Sequence, residues 1–177
     1  EIRTMQSPRN MPEPIPGLSW GAGVQSFTLA LMAAAGEVTP MPIAAVFADT
    51  GDEPLGVYLW LSRLKELLPF PVHVVQSHHG NLSDNLTKGD HSQIPAFFLE
   101  HGKPTIGKRQ CTNHWKVRPV RKKCRQLSRG GPVILWQGIS TDEVSRCKDS
   151  GAIWLTHRFP LIETRMNRRE WLEANGA

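Results

Sequence analysis

Six consecutive apolar residues, Ile43-Ala44-Ala45-Val46-Phe47-Ala48, lie between two segments with helical periodicity. A strand with one wet face would alternate apolar and polar residues. A short unbroken run instead marks a strand covered on both faces, as in a parallel sheet. Before it, Val24 to Ala35 is apolar nearly all round and suits a helix packed on that sheet, with Gly36 as its stop. After it, apolar residues recur at Val57, Trp60, Leu61, Leu64 and Leu68, close to the helical period. Asp52 or Glu53 is the expected N-cap there and Pro54 the first helical residue. Further strands are expected at Ile15 to Trp20, Val72 to Val75 and Val133 to Gln137. Strands alternating with helices predict an α/β fold: a parallel sheet of about five strands with helices on both faces.

Residues 1–14 read as an extended, proline-bearing lead-in, and residues 15–177 as a single α/β domain. The stretch at about 76–110 reads as an irregular insert with one short helix around Ala96 to Glu100. Cys111 to Leu127 reads as a basic helix, interrupted or started anew at Pro119. Thr141 to Lys148 is expected as a helical turn. Asn167-Arg168-Arg169-Glu170 is a capping-box pattern that would open a last helix.

At 177 residues, with 40% hydrophobic and 21% charged, the chain can bury a core and is not compositionally disordered. No apolar stretch approaches the ~18 residues of a membrane span. The N-terminal residues contain no apolar run of the signal-peptide kind. Three cysteines, Cys111, Cys124 and Cys147, cannot form a disulfide framework, so a reducing, cytoplasmic setting is expected.

Charge is unevenly distributed. Lys103 to Arg129 contains 10 basic residues and no Asp or Glu, whereas the rest of the chain has 11 basic and 16 acidic residues. That segment is either a solvated helix face or a surface for something anionic, a nucleotide or a nucleic acid.

In sheets of this kind ligands bind beyond the carboxyl ends of the strands. One such turn is Ser19-Trp20-Gly21-Ala22-Gly23-Val24-Gln25-Ser26, between the first strand and the first helix. Glycines let a backbone approach an anion, and helix N-terminal amides hold phosphate. Ser19 and Ser26 would add hydroxyl donors. A Gly-Lys-Ser/Thr does not follow, and Gly-x-Gly-x-x-Gly would need glycine at Ser26. The turns at Asp49, Thr50, Gly51 and at Gly138, Asp142, Glu143 occupy the same edge. Asp142 or Glu143 could share Mg²⁺ with phosphates, or simply satisfy helix amides. Arg118, Arg121 and Arg146 are suited to oxyanions because the guanidinium fork binds them bidentately. Cys111 sits beside Lys108 and Arg109, a setting that favours thiolate. Cys124 is expected to be structural, and no histidine spacing points to a zinc site.

Residues 21–26 resemble the PP-loop, the Ser-Gly-Gly-x-Asp-Ser pyrophosphate turn of the adenine nucleotide alpha-hydrolase superfamily. Gly23 and Ser26 match, while Gly21 replaces the leading serine and Gln25 the aspartate. Asp49-Thr50-Gly51 is similar to the Asp-Thr-Gly of phosphoadenylyl-sulfate (PAPS) reductases. The segment from Cys111 through Lys116, Val117, Arg118 and Pro119 to Val120 resembles their Cys-Cys-x-x-x-Lys-Val-x-Pro-Leu, with only Cys111 left of the pair. The run from Gly138 to Arg146 is similar to Gly-x-Arg-x-x-Glu-Ser-x-Arg. Arg158-Phe159-Pro160-Leu161 resembles the element before the reductases' last helix. The chain resembles most the uncharacterised, often phage-encoded branch of PAPS reductase-like proteins, which would place it in a host cytoplasm. Members of that branch commonly carry a cysteine-rich tail, and one is expected beyond Ala177.

The resemblance implies a Rossmann-like (HUP-type) fold and binding of ATP or a related adenine nucleotide, with Mg²⁺. Ser19, Gly21, Ala22, Gly23, Gln25, Ser26, Asp49, Thr50, Gly51, Gly138, Asp142, Glu143 and Arg146 would hold the nucleotide. Cys111, Lys116 and Arg118 would be catalytic, with Cys111 the candidate iron–sulfur ligand of a longer protein. The leading expectation is a PP-loop ATP pyrophosphatase. It would cleave ATP to AMP and pyrophosphate and activate or modify a substrate, such as a nucleic-acid base by sulfur transfer. The alternatives are a PAPS or APS reductase and a non-catalytic nucleotide- or nucleic-acid-binding module. The implied partners are an adenine nucleotide, a nucleic acid on Lys103 to Arg129, and a second copy of the chain in a homodimer.

Overall fold

The structure is a computed structural model that describes residues 12–86, 97–106 and 111–164. Five strands form one wholly parallel sheet: β1 (Ile15–Trp20), β2 (Ala45–Asp49), β3 (Val72–Gln76), β6 (Val133–Gln137) and β7 (Leu155–Arg158). Their order is β3-β2-β1-β6-β7. The chain runs outward from β1 to β3, then returns to β1's other side. The strand order therefore switches between β1 and β6, where such sheets open a crevice.

Successive side chains of each strand point to opposite faces, and both faces are apolar. Leu18, Trp20, Ala45, Phe47 and Trp136 pack under α1 (Val24–Ala34) and α2 (Leu55–Leu67), against Leu29, Met32, Leu61 and Leu64. Val46, Ala48, Val133, Leu135 and Leu155 pack on the other face against Val120 and Cys124 of α4 (Arg118–Leu127). The unbroken apolar run of β2 is thus divided between two cores, as the sequence expects. Helix α1 stops as expected at Gly36, whose φ is +76°. There the amides of Gly36 and Glu37 bond back to Ala33 and Met32, which satisfies the last carbonyls.

Three expectations are corrected. The helix around Ala96 to Glu100 is instead a strand: β4 (Phe97–Glu100) pairs antiparallel with β5 (Lys103–Ile106). His101 and Gly102 between them both have positive φ, 52° and 77°, which a two-residue hairpin of matching twist demands. The insert is therefore less irregular than its composition suggests, and it also holds a short helix, α3 (Leu82–Leu86). Helix α2 starts one residue late, with Pro54 as its N-cap and no side-chain cap, because the Asp52 and Glu53 carboxylates accept hydrogen bonds elsewhere. As expected, the basic helix changes character next to Pro119, where α4 starts at Arg118. Its backbone stays helical but widens to π geometry over Thr112–Val117, with the Arg118 amide reaching Asn113 O. Pro119 then falls in the first turn of α4, where its missing N–H is tolerated.

The helical turn after β6 is a 3₁₀ segment, Thr141–Arg146, and ends before Cys147. Strand β7 was not among the strands expected from sequence. It leads into α5 (Pro160–Glu163), and Arg158 holds this end together by gripping Glu163, donating to Thr39 O at 2.6 Å and lying over the Trp136 ring. The capping box at 167–170 lies outside the described residues. Among those residues no helix is long and apolar enough to cross a membrane.

Candidate functional site

The turn after β1 leads into α1 without a side-chain cap. Gly23 caps α1 with extended backbone and no side-chain hydrogen bond. The first amides of α1 therefore have no capping side chain, which is the arrangement that receives phosphate. A Cβ at Gly21 or Gly23 would meet nothing within 4 Å, so there is open space over the loop. The left-handed residue is Ala22, at φ 55°, rather than either glycine. Ser26 does not present its hydroxyl outward. It is buried and donates to Gly23 O at 3.0 Å.

Gly138, at the end of β6, touches this turn directly. A Cβ there would lie 2.6 Å from Ser26 N and 2.8 Å from the Gln25 carbonyl carbon. Gln25 crosses the same contact: its Nε2 donates to Ser140 Oγ at 2.9 Å and Glu143 Oε2 at 2.5 Å. Glu143 also pairs with Arg146 at 2.6 Å, and Ser140 Oγ donates to Asp142. Hydrogen bonds from Gln25 and then Arg146 hold the Glu143 carboxyl below its usual range, against a smaller opposing effect of burial. Gln25, Gly138, Asp142, Glu143 and Arg146 are thus brought into one network. Where the resembled motif has aspartate, glutamine serves as a donor to a carboxylate that comes from the other turn.

Asp49, Thr50 and Gly51 form a junction between elements. Asp49 Oδ1 accepts from Gly51 N and Tyr58 Oη, both at 2.8 Å, and Oδ2 accepts from Gln76 Nε2 at 3.1 Å. Burial alone would raise the Asp49 pKa, but these hydrogen bonds outweigh it and hold the carboxyl below its ordinary value of 3.8. Thr50 is buried and donates to Glu53, and its carbonyl accepts from Leu82 N. Gly51 has φ +78°, and a Cβ there would collide with Asn81. The turn ties β2 to α2, β3 and α3.

A cavity of about 140 Å³ opens at the carboxyl ends of β1, β2 and β6, beside the switch in strand order. Ser19 and Gly21 line it from β1 and its turn, Gln137 from β6 and His157 from β7. Lys116 and Arg121 line it from the basic helix. A cavity of this size holds about one aromatic ring. A larger ligand would therefore extend outward over residues 21–23. Lys116 Nζ sits 2.8 Å from Glu53 Oε1, Arg121 Nη2 donates to Ser150 O at 2.6 Å, and His157 Nδ1 bonds to Lys148 O at 2.8 Å. All three are oriented by partners before any ligand arrives.

The other expected residues lie elsewhere. Arg118 lines a separate cavity toward β3. Cys111 and Cys147 are half-buried, and neither lines the strand-end cavity. Cys124 is buried against the sheet, and burial pushes its thiol up to about 11. Sequence reasoning missed Gln137 and His157. His157 sits in β7, a strand of only four residues with one buried position, so it had no hydrophobic pattern to reveal it.

Among the described residues no group of three or more His, Cys, Asp and Glu is placed to hold a metal. Both Glu143 oxygens accept hydrogen bonds, Oε2 from Gln25 and Oε1 from Arg146. Cys124 is sealed in the core, which agrees with the structural role expected for it.

No protein-family model and no curated protein sequence matches the chain. Among solved structures, phosphoadenylyl-sulfate (PAPS) reductase from Candida auris, in a phosphate complex, is similar in fold. The likeness has a TM-score of 0.58 at 11% sequence identity and covers 95% of this chain and 75% of that one. The five-stranded α/β architecture of this chain is therefore PAPS reductase-like in fold.

Proposed function

We propose that the protein binds an adenine nucleotide across the carboxyl edge of the sheet and promotes cleavage at its α-phosphorus. The observation that carries this reading is convergence. Ser19, Gly21, Lys116 and Arg121 line one cavity at the strand-order switch, and the uncapped N-terminus of α1 begins at Gly23, two residues past Gly21. The amides of Val24 and Gln25 would receive the phosphates, while the cavity takes the uncharged part of the ligand. With ATP, an acceptor oxygen or nitrogen forms a bond to the α-phosphorus. The bond to the bridging oxygen breaks, and pyrophosphate leaves with that electron pair. Lys116 and Arg121 would offset the charge that builds on the phosphoryl oxygens, and positioning supplies most of the rest. A nucleic acid held by the basic segment is the acceptor in this reading.

Sulfonucleotide reduction is the second reading, favoured by the shared fold with a PAPS reductase. Calorimetry with ATP and with PAPS, followed by assays for pyrophosphate and sulfite, separates the two. Binding of ATP with release of pyrophosphate is expected. The absence of binding by any adenine nucleotide at millimolar concentration would overturn both.

A further inference from the structure

The basic helix divides its cations between two sides. Lys116 and Arg121 face the strand-end cavity, whereas Arg118 and Lys122 line a second cavity of about 150 Å³ with Gln76, His78 and His114. Arg118 and Lys122 are one helical turn apart on the same face, so their charges stand together. Both are exposed, and among the described residues neither has an acidic partner. None of the residues lining this cavity is acidic. Lys123 of the same helix acts on His73 of β3, where burial first and this charge second lower the imidazole pKa. Positive charge therefore runs along the cleft between α4 and β3.

The opposite wall is aromatic and rigid. The His78 and His79 rings are 3.8 Å apart, and His79 in turn lies 5.4 Å from the Trp115 ring. Trp115 is fully buried, and its Nε1 donates to Gly80 O at 2.8 Å, which pins the 77–80 turn to the π segment. His78 itself is exposed. An exposed, backed imidazole beside two unpaired cations pairs a stacking surface with a phosphate seat. That combination suits a nucleobase and its adjoining phosphodiester.

We propose that the cleft formed by His78, Arg118 and Lys122 seats one nucleotide unit of a single-stranded nucleic acid, on the side of α4 away from the mononucleotide cavity. This rests on the nucleic-acid reading of the basic segment, and it does not need the nucleotide reading of the strand-end cavity.

The test is fluorescence anisotropy of the full chain with a labelled single-stranded oligonucleotide of about 15 nucleotides, across a salt series. The double variant Arg118→Gln/Lys122→Gln should weaken binding at least tenfold and flatten the slope of log K against log salt by about 1.4, roughly 0.7 per lost contact. His78→Ala should weaken binding with the slope unchanged. A control variant on α2, Arg63→Gln/Lys65→Gln, should bind like the parent, and all variants should keep the parent's melting temperature. If the parent binds no oligonucleotide at low salt, the nucleic-acid reading itself fails. If the parent binds and the double variant binds equally well with the same slope, the seat is elsewhere. If the double variant loses ATP affinity and retains the oligonucleotide, the cleft belongs to the mononucleotide, and the proposal is overturned.

Discussion

A Cβ on Gly138 would lie 2.6 Å from the backbone nitrogen of Ser26, so the end of β6 rests on the first turn of α1 with no room for a side chain. The obstructing atoms are backbone and cannot swing aside. Gly138→Ala should therefore destabilise the fold by about 1–3 kcal/mol, the range for an extra methyl forced into a packed site. It should also weaken nucleotide binding, because the turn it displaces is the proposed phosphate cradle. Urea unfolding of a variant as stable as the parent would contradict this contact.

Gly23 presents the opposite case. A Cβ there meets nothing within 4 Å, so Gly23→Val should still fold, at a cost of about 1 kcal/mol for a poorer N-cap residue. The branched side chain would nevertheless stand over the α1 amides. Adenine nucleotide affinity should fall at least tenfold, about 1.4 kcal/mol. Calorimetry that gives equal affinity for a folded variant would reject these amides as the phosphate site.

Ala22 holds the left-handed conformation between the two glycines, at φ 55°. A non-glycine residue there costs about 1–2 kcal/mol, and glycine avoids most of this at the expense of about 0.5–1 kcal/mol of chain entropy. Ala22→Gly should raise stability modestly, by up to about 1 kcal/mol. A clear fall in melting temperature would show that the turn is not left-handed in solution.

The Asp49 carboxyl is held below its ordinary value of 3.8 in the folded protein. It contributes stability that is complete above the unfolded value and is lost as pH falls through the lower folded value. Asp49→Asn should be less stable than the parent at neutral pH, and its stability should fall less steeply below about pH 4. Melting curves between neutral and acid pH check this, and parallel losses in both proteins would contradict it.

Cys124 is 2% exposed, and its thiol is raised to about 11. It should be the slowest of the three cysteines to react with iodoacetamide in the native protein, with half-buried Cys111 and Cys147 ahead of it. Peptide mapping after brief alkylation measures the order, and in urea the three should react alike.

Local patterns carry a good part of this molecule. The apolar run before Asp49, the all-round apolar helix ending at Gly36 and the glycine turn at 21–23 are visible in sequence. Each reflects burial or backbone freedom within a few residues, and the structure puts strands, helix and turn close to where those patterns lie. The abundance of positive charge at 103–129 is equally plain.

What remained hidden depends on contacts between distant parts of the chain. Nothing local distinguishes Gly138 from other turn glycines, because its constraint is the backbone of Ser26, 112 positions earlier in the chain. Strand β7 has a single buried residue, Leu155, and is a strand only because β6 offers it a hydrogen-bonding edge. The hairpin at 97–106 escaped because two positive φ angles at His101 and Gly102, not side-chain periodicity, reverse the chain. Asp49, Thr50 and Gly51 also form a junction that sequence does not show, with Tyr58, Gln76 and Asn81 closing around them. The sequence alone determined the fold class and the position of the glycine turn after β1, since hydrophobic period and glycine freedom are short-range properties. Only the tertiary structure decided the strand order, the pairing of Gln25 with Glu143, and the partition of Lys116 and Arg121 from Arg118 and Lys122, because these depend on which surfaces meet when the sheet closes around β1.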